Sequence, residues 1–255
     1  MRINDLARAG RTCLSQPGRA TATRRAVTVV LSLALAFAVH VATIHGPDHI
    51  GWIGSPVVVV MLLVLARWSG LTWGDVGLSR RTWRSGAIYG GGAVLAVAVV
   101  YLAGVLLPAT RSWFLDVRYD IPIGTALLTA LVLIPLKTVL LEEIAFRGVL
   151  LGALWRPLGT AGAIGVSSIL FGLWHIPPSL QLLDQNQALS QALGHGAGAQ
   201  LLVVTGAVAF TTVAGLVFCE LRRRSGSVLA PIGLHWATNG LGVLASAMLW
   251  AALSG

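Results

Sequence analysis

Residues 123–155 read IGTALLTALVLIPLKTVLLEEIAFRGVLLGALW. Apart from Lys137, Glu142, Glu143 and Arg147, this run carries no charge, and it is longer than the about 20 residues an α-helix needs to cross a hydrocarbon core about 30 Å thick. Further apolar runs dominated by Leu, Val and Ala lie at 26–44, 50–66, 86–107, 161–176, 199–220 and 228–252. Together they predict about seven transmembrane helices. Membrane strands would instead show alternating segments of about 10 residues, which these continuous runs are not. The expected fold is all-α, a polytopic membrane helical bundle. Composition agrees: 56% of residues are hydrophobic, 11% are charged, and the mean hydropathy is +0.80, far too apolar for a soluble domain.

The net charge of +9 raises the question of a nucleic-acid partner, and the placement of the arginines argues against one. Six precede residue 26, four more (Arg67, Arg80, Arg81 and Arg84) lie at 67–85, and Arg222, Arg223 and Arg224 form the 221–227 turn. Those are alternate connections. Segments 45–49 and 177–198 have no Lys or Arg, and in 108–122 Arg111 and Arg118 are balanced by Asp116 and Asp120. The positive-inside rule therefore places the N-terminus in the cytoplasm, with the lipid bilayer as partner and attraction to anionic lipid as a by-product. The expected location is the plasma membrane of a bacterium.

No internal repeat or low-complexity linker divides the chain, so the expected organisation is a basic cytoplasmic tail at 1–25 and one membrane-embedded domain at 26–255. A cleaved signal would have a shorter apolar core and a small-residue cleavage site. Cys13 and Cys219 have no CxxC spacing and read as small packing residues. Segment 67–85 carries Trp68, Trp73 and Trp83 among its arginines, as an interfacial segment would; an ordinary loop is the alternative. Gly90, Gly91 and Gly92 point to close helix packing. Pro135, Pro177 and Pro178 are expected to kink or end helices.

Charged groups inside a span need a compensating reason, since each costs about 2.5–3.5 kcal/mol at mid-bilayer on insertion scales. Glu143 and Arg147 are i,i+4 neighbours with the acid first, the favourable order for an ion pair. Glu142, turned by about 100°, lacks that partner. A purely architectural Glu-Glu-Arg cluster would explain this much. Two further clusters on other helices weaken that explanation: Phe171 and His175 in FGLWH, and His235 and Asn239 in HWATN, each at i,i+4. If a turn at 156–160 joins two antiparallel helices, Glu142 lies 14 residues before it and His175 15 residues after it. At 1.5 Å per residue both are about 21–23 Å from the turn, hence at one level. His235 and Asn239, measured likewise from the 221–227 turn, lie about 12–18 Å deep.

Such a set suits peptide hydrolysis, which needs an activated water, a base and donors for the oxyanion. Glu142 is the expected base, and His175 shares its water and shuttles the proton. Asn239 and His235 donate to the oxyanion, His235 provided its proton sits on the facing nitrogen. Glu143, Arg147 and Phe171 support them.

EEIAFRG, FGLWH and HWATN resemble, in order and spacing, the motifs EExxxR, FxxxH and HxxxN of the CAAX-protease and bacteriocin-processing (CPBP) family of intramembrane proteases. The family includes the type II CAAX prenyl endopeptidases and Abi-like bacterial proteins linked to bacteriocin processing or immunity. The resemblance spans about residues 123–245 and implies Glu142 and His175 as the water-activating pair, with His235 and Asn239 as transition-state stabilisers. Implied substrates are membrane peptides or lipidated proteins; CAAX cleavage itself would require prenylated C-termini, a largely eukaryotic modification. No cofactor is expected. A zinc-dependent version of the site would draw on Glu142, His175 and His235, but no HExxH is present. His45, Asp48 and His49 also have a metal-like spacing and read as a polar turn. The rival readings are a proton-coupled transporter, which also buries Glu, His and Arg, and a non-catalytic immunity or scaffold membrane protein.

Overall fold

The protein's structure is a computed structural model that describes residues 19–46 and 50–254. Cys13, Asp48 and His49 lie outside the described residues. Within them every regular element is helical, and the one strand-like feature is an isolated antiparallel bridge between Asp116 and Asn186. Helix α1 is Arg19–His45, and α2 is Ser55–Trp68, entered through a π turn at Ile50–Gly54. Helix α3 is Trp83–Leu106. Helix α4, Ile123–Leu128, runs through π turns at Thr129–Leu133 and Pro135–Val139, a single α turn, and a longer π segment at Glu143–Leu150 into α5, Leu151–Trp174. Helix α6 is Ala197–Ser225; α7, Leu229–Trp236, continues through a π turn at Ala237–Leu241 into α8, Gly242–Ser254.

Six helical stretches are long and apolar enough to cross a membrane. The fourth, Ile123–Ser179, contributes two arms, because it reverses at Gly159, where φ is 67° and ψ 178°. Only glycine takes that backbone conformation at little cost, and Pro157 just before it withholds a helical N–H. The arms are antiparallel: Ser167 donates to the Phe146 carbonyl at 3.1 Å, Phe146 packs edge-on against Phe171, and Trp174 reaches Glu142. The reversal thus brings the acidic motif level with the histidine that follows it. At the far end α5 stops at Trp174, with Pro177 and Pro178 in the short turn Ile176–Ser179. Pro135 opens a π turn without ending the helix, since the wider turn accommodates its missing N–H.

Helix α1 takes in Arg19, Arg24 and Arg25, which apolarity alone assigned to the tail. Arg24 lies over the Trp68 ring, so its charge stays at the interface while its stem extends the helix. The segment between α2 and α3 is well anchored. Leu71 and Val76 are buried, whereas Trp68, Trp73 and Trp83 stay about half exposed (49%, 48% and 48%), a pattern compatible with a headgroup belt. Arg67 and Arg80 lie over Trp73 and Trp83. Arg222, buried at the end of α6, donates to the carbonyls of Gly74 and Asp75 at 3.1 and 3.0 Å, and Val228 N–H to that of Gly77 at 3.0 Å.

Of the three consecutive glycines in α3, one is committed to packing. A Cβ on Gly233 of α7 would stand 2.9 Å from Gly90 Cα, whereas Gly91 and Gly92 face open space. Gly233→Val should therefore force α3 and α7 apart and destabilise the protein by about 1–3 kcal/mol or more, while Gly91→Ala has no such effect. Thermal unfolding of the two variants in detergent checks this.

Candidate active site

Glu143 and Arg147 are both fully buried, one turn apart on the π segment, and Arg147 Nη1 donates to Glu143 Oε1 at 3.0 Å. Neighbouring helices supply the rest of the arginine's surroundings. Its guanidinium carbon lies 3.9 Å from the ring centre of Phe171 on α5 and 4.6 Å from that of Phe218 on α6. Planar and weakly hydrated, a guanidinium tolerates such aromatic walls better than an ammonium would.

The same Glu143 oxygen accepts from His235 Nδ1 at 2.8 Å. A carboxylate held by arginine is an acceptor, so the proton resides on Nδ1. The neutral ring therefore does not meet the condition set for His235 above: Nε2, which stands 3.8 Å from Glu142 Oε2, is a donor only when the ring is an imidazolium. The His235 ring stacks on Phe218 at 5.3 Å between centroids, which fixes its plane.

Glu142 is 3% exposed and turns away from Arg147. Its Oε1 accepts from the indole N–H of Trp174 at 3.0 Å, and its Oε2 has no hydrogen-bond partner. Trp174 in turn lies against His40 of α1, ring centroids 4.4 Å apart. His175, next in sequence, bonds the Phe171 carbonyl through Nδ1 at 2.8 Å. A carbonyl only accepts, so Nδ1 carries the proton and Nε2 of the neutral ring is left with a lone pair. Phe171 therefore touches three parts of the site: its carbonyl orients His175, and its ring faces both Arg147 and His235.

Glu142, His175 and Asn239 all line one cavity of about 1100 Å³. His235 does not line it and meets the site from behind, through Glu142. Three more lining residues escaped the sequence reading: His40, Lys137 and Trp174. Lys137 had a usable signal, as a cation inside an apolar span. A buried indole needs a partner, but nothing in the sequence says which. Among the described residues, no three of His, Cys, Asp and Glu are grouped so as to hold a metal ion, and Glu142, His175 and His235 are no exception.

Residues 124–241 match the model of a protein family described as Rce1-like, type II CAAX prenyl endopeptidase Rce1-like. This segment, which holds all three motifs, matches a family of intramembrane CAAX-type proteases and makes up just under half of the chain. The protein is an integral membrane protein with a CAAX-endopeptidase-like segment. No curated protein and no solved structure matches it.

Taking Arg147 away would leave Glu143 buried beside His235 with no cation. Arg147→Met should cost about 3–5 kcal/mol of stability, and pairing it with Glu143→Gln should recover part of that loss. Unfolding midpoints of the single and double variants in one detergent provide the comparison.

Proposed function

We propose that the protein cleaves peptide bonds in membrane-associated or lipidated polypeptides with a water activated by Glu142 and His175. One observation carries this reading: Glu142, one carboxylate oxygen fixed by an indole and the other unbonded, lines the same cavity as His175, whose bond to Phe171 leaves Nε2 as an acceptor. A water between them loses a proton to Glu142 as its oxygen adds to the scissile carbonyl carbon. The carbonyl oxygen becomes an oxyanion that accepts from the Asn239 amide, while His235, which the sequence assigned to the same task, stays bonded to Glu143 behind Glu142 and acts only through that carboxylate. The proton then moves by way of Glu142 and His175 to the amide nitrogen. The C–N bond breaks, the amine leaves, and a carboxylic acid remains.

No metal enters this scheme, in keeping with a donor set that is spread over three helices and partly engaged by Glu143 and Phe171. A proton relay through the bundle is less well supported. Towards the Gly159 end, the space beneath Glu142 is filled by Phe146, Phe171 and Phe218 around Arg147.

In vesicles containing the purified protein and a single-pass reporter polypeptide, Glu142→Gln and His175→Ala should each slow cleavage by about 10²–10⁴-fold. Glu142→Gln, which can still accept from Trp174, should keep the wild-type unfolding midpoint. Undiminished cleavage by Glu142→Gln would refute the role given to Glu142. Loss of wild-type activity with chelator and its return with zinc would refute the metal-free chemistry.

A further inference from the structure

We propose that the cavity is entered from the extracytoplasmic side of the membrane, and that its substrates are polypeptide segments displayed at, or anchored in, the outer leaflet. One face of the bundle holds the α1 arginines, the interfacial segment before α3, the Gly159 reversal with Arg156, and Arg222, Arg223 and Arg224 at the end of α6. Positive charge so concentrated marks the cytoplasmic face, where anionic lipid adds to its retention. The opposite face carries Arg111 and Arg118, and Arg118 is spent on Asp116 at 2.6 Å.

The cavity lies wholly on that opposite side of the catalytic level. None of the arginines of the cytoplasmic face lines it. In each helix its lining begins at the site and continues outward: His40 to Ile44 in α1, Glu142 back to Ile134, and Asn239 on to Ser246. Its rim comes from the two outer connections, with Trp113 and Tyr119 from one and Asn186 and Leu193 from the other. Those connections are tied down: Asn186 Nδ2 donates to the Trp113 carbonyl at 3.1 Å, and Trp250 of α8 to that of Asp116 at 3.0 Å.

Depth agrees. A Cβ on Gly152 would stand 2.7 Å from the Asp75 carbonyl oxygen, so Gly152 is level with the interfacial segment. From Gly152 to Glu142 the helix advances ten residues, mostly in the wider π turns, so Glu142 lies up to about 15 Å deep, towards the middle of a core about 30 Å thick. The outer half is therefore the cavity's whole length. Its wall is also open sideways, because Leu202 and Phe210 of α6 line the cavity while remaining 57% and 74% exposed on a lipid-facing helix. A chain anchored in the bilayer can enter there without leaving the membrane.

The substrate half of this inference rests on the hydrolase reading above; the side of access does not, and it can be measured apart from activity. In a Cys13→Ser background, where the remaining Cys219 is fully buried, Leu193→Cys places a thiol on the cavity rim and Arg84→Cys one on the arginine face. Intact bacterial cells expressing each variant are treated with a membrane-impermeant maleimide, with and without permeabilisation. The expected result is labelling of Leu193→Cys in intact cells and of Arg84→Cys only after permeabilisation. The reverse pattern, labelling of both in intact cells, or no labelling of Leu193→Cys under either condition would overturn the proposal. Adding Glu142→Gln should abolish cleavage and leave the labelling unchanged, so a failure of the chemistry and a failure of the topology give different results.

Discussion

Glu143 accepts from Arg147 and His235 through one oxygen, in a volume that excludes water, and the arrangement of the catalytic half of the bundle follows from that constraint. A buried carboxylate and guanidinium must satisfy each other, and a π-helical stretch places them one turn apart on the same face. Aromatic rings from α5 and α6 close around the guanidinium, whose Nε and Nη2 have no hydrogen-bond partner and face those rings instead. The histidine of α7 completes the carboxylate's shell. Three helices are thereby fixed in rotation as well as position, and Glu142, one residue earlier, is turned away from the arginine towards the cavity.

From this follows a division of labour between two adjacent glutamates. Environment separates them: Glu143 is sealed among a cation and an imidazole, Glu142 borders open space and is held by a single indole N–H. The two imidazoles are separated in the same way. A carbonyl holds Nδ1 of His175 and a carboxylate holds Nδ1 of His235; His175 lines the cavity, whereas Nε2 of His235 faces Glu142 from behind.

Much of this was legible in the chain. The apolar runs mark the crossing helices because lipid leaves the backbone no other partner than itself. The Glu143–Arg147 pair follows from helical spacing, and equal distances from the 156–160 turn place Glu142 and His175 at one level, as the reversal at Gly159 does in the structure. What the sequence hid is tertiary. The indole that binds Glu142 sits inside the FGLWH motif, yet an N–H donor in a span points wherever the neighbouring helix allows. His40 lies in an apolar run with no motif around it and reaches the site only because α1 packs beside Trp174. The proton position on His235 depends on a contact across 92 residues. The π segments shift side-chain angles by amounts that no count of 3.6 residues per turn anticipates.

The most direct measurement is an experimental structure of the protein in lipid, at a resolution that shows ordered water. The account predicts one water within hydrogen-bonding reach of both the Glu142 carboxylate and His175 Nε2, with His235 still bonded to Glu143. A separation of Glu142 from His175 greater than about 6 Å, too wide for a single bridging water, would contradict it.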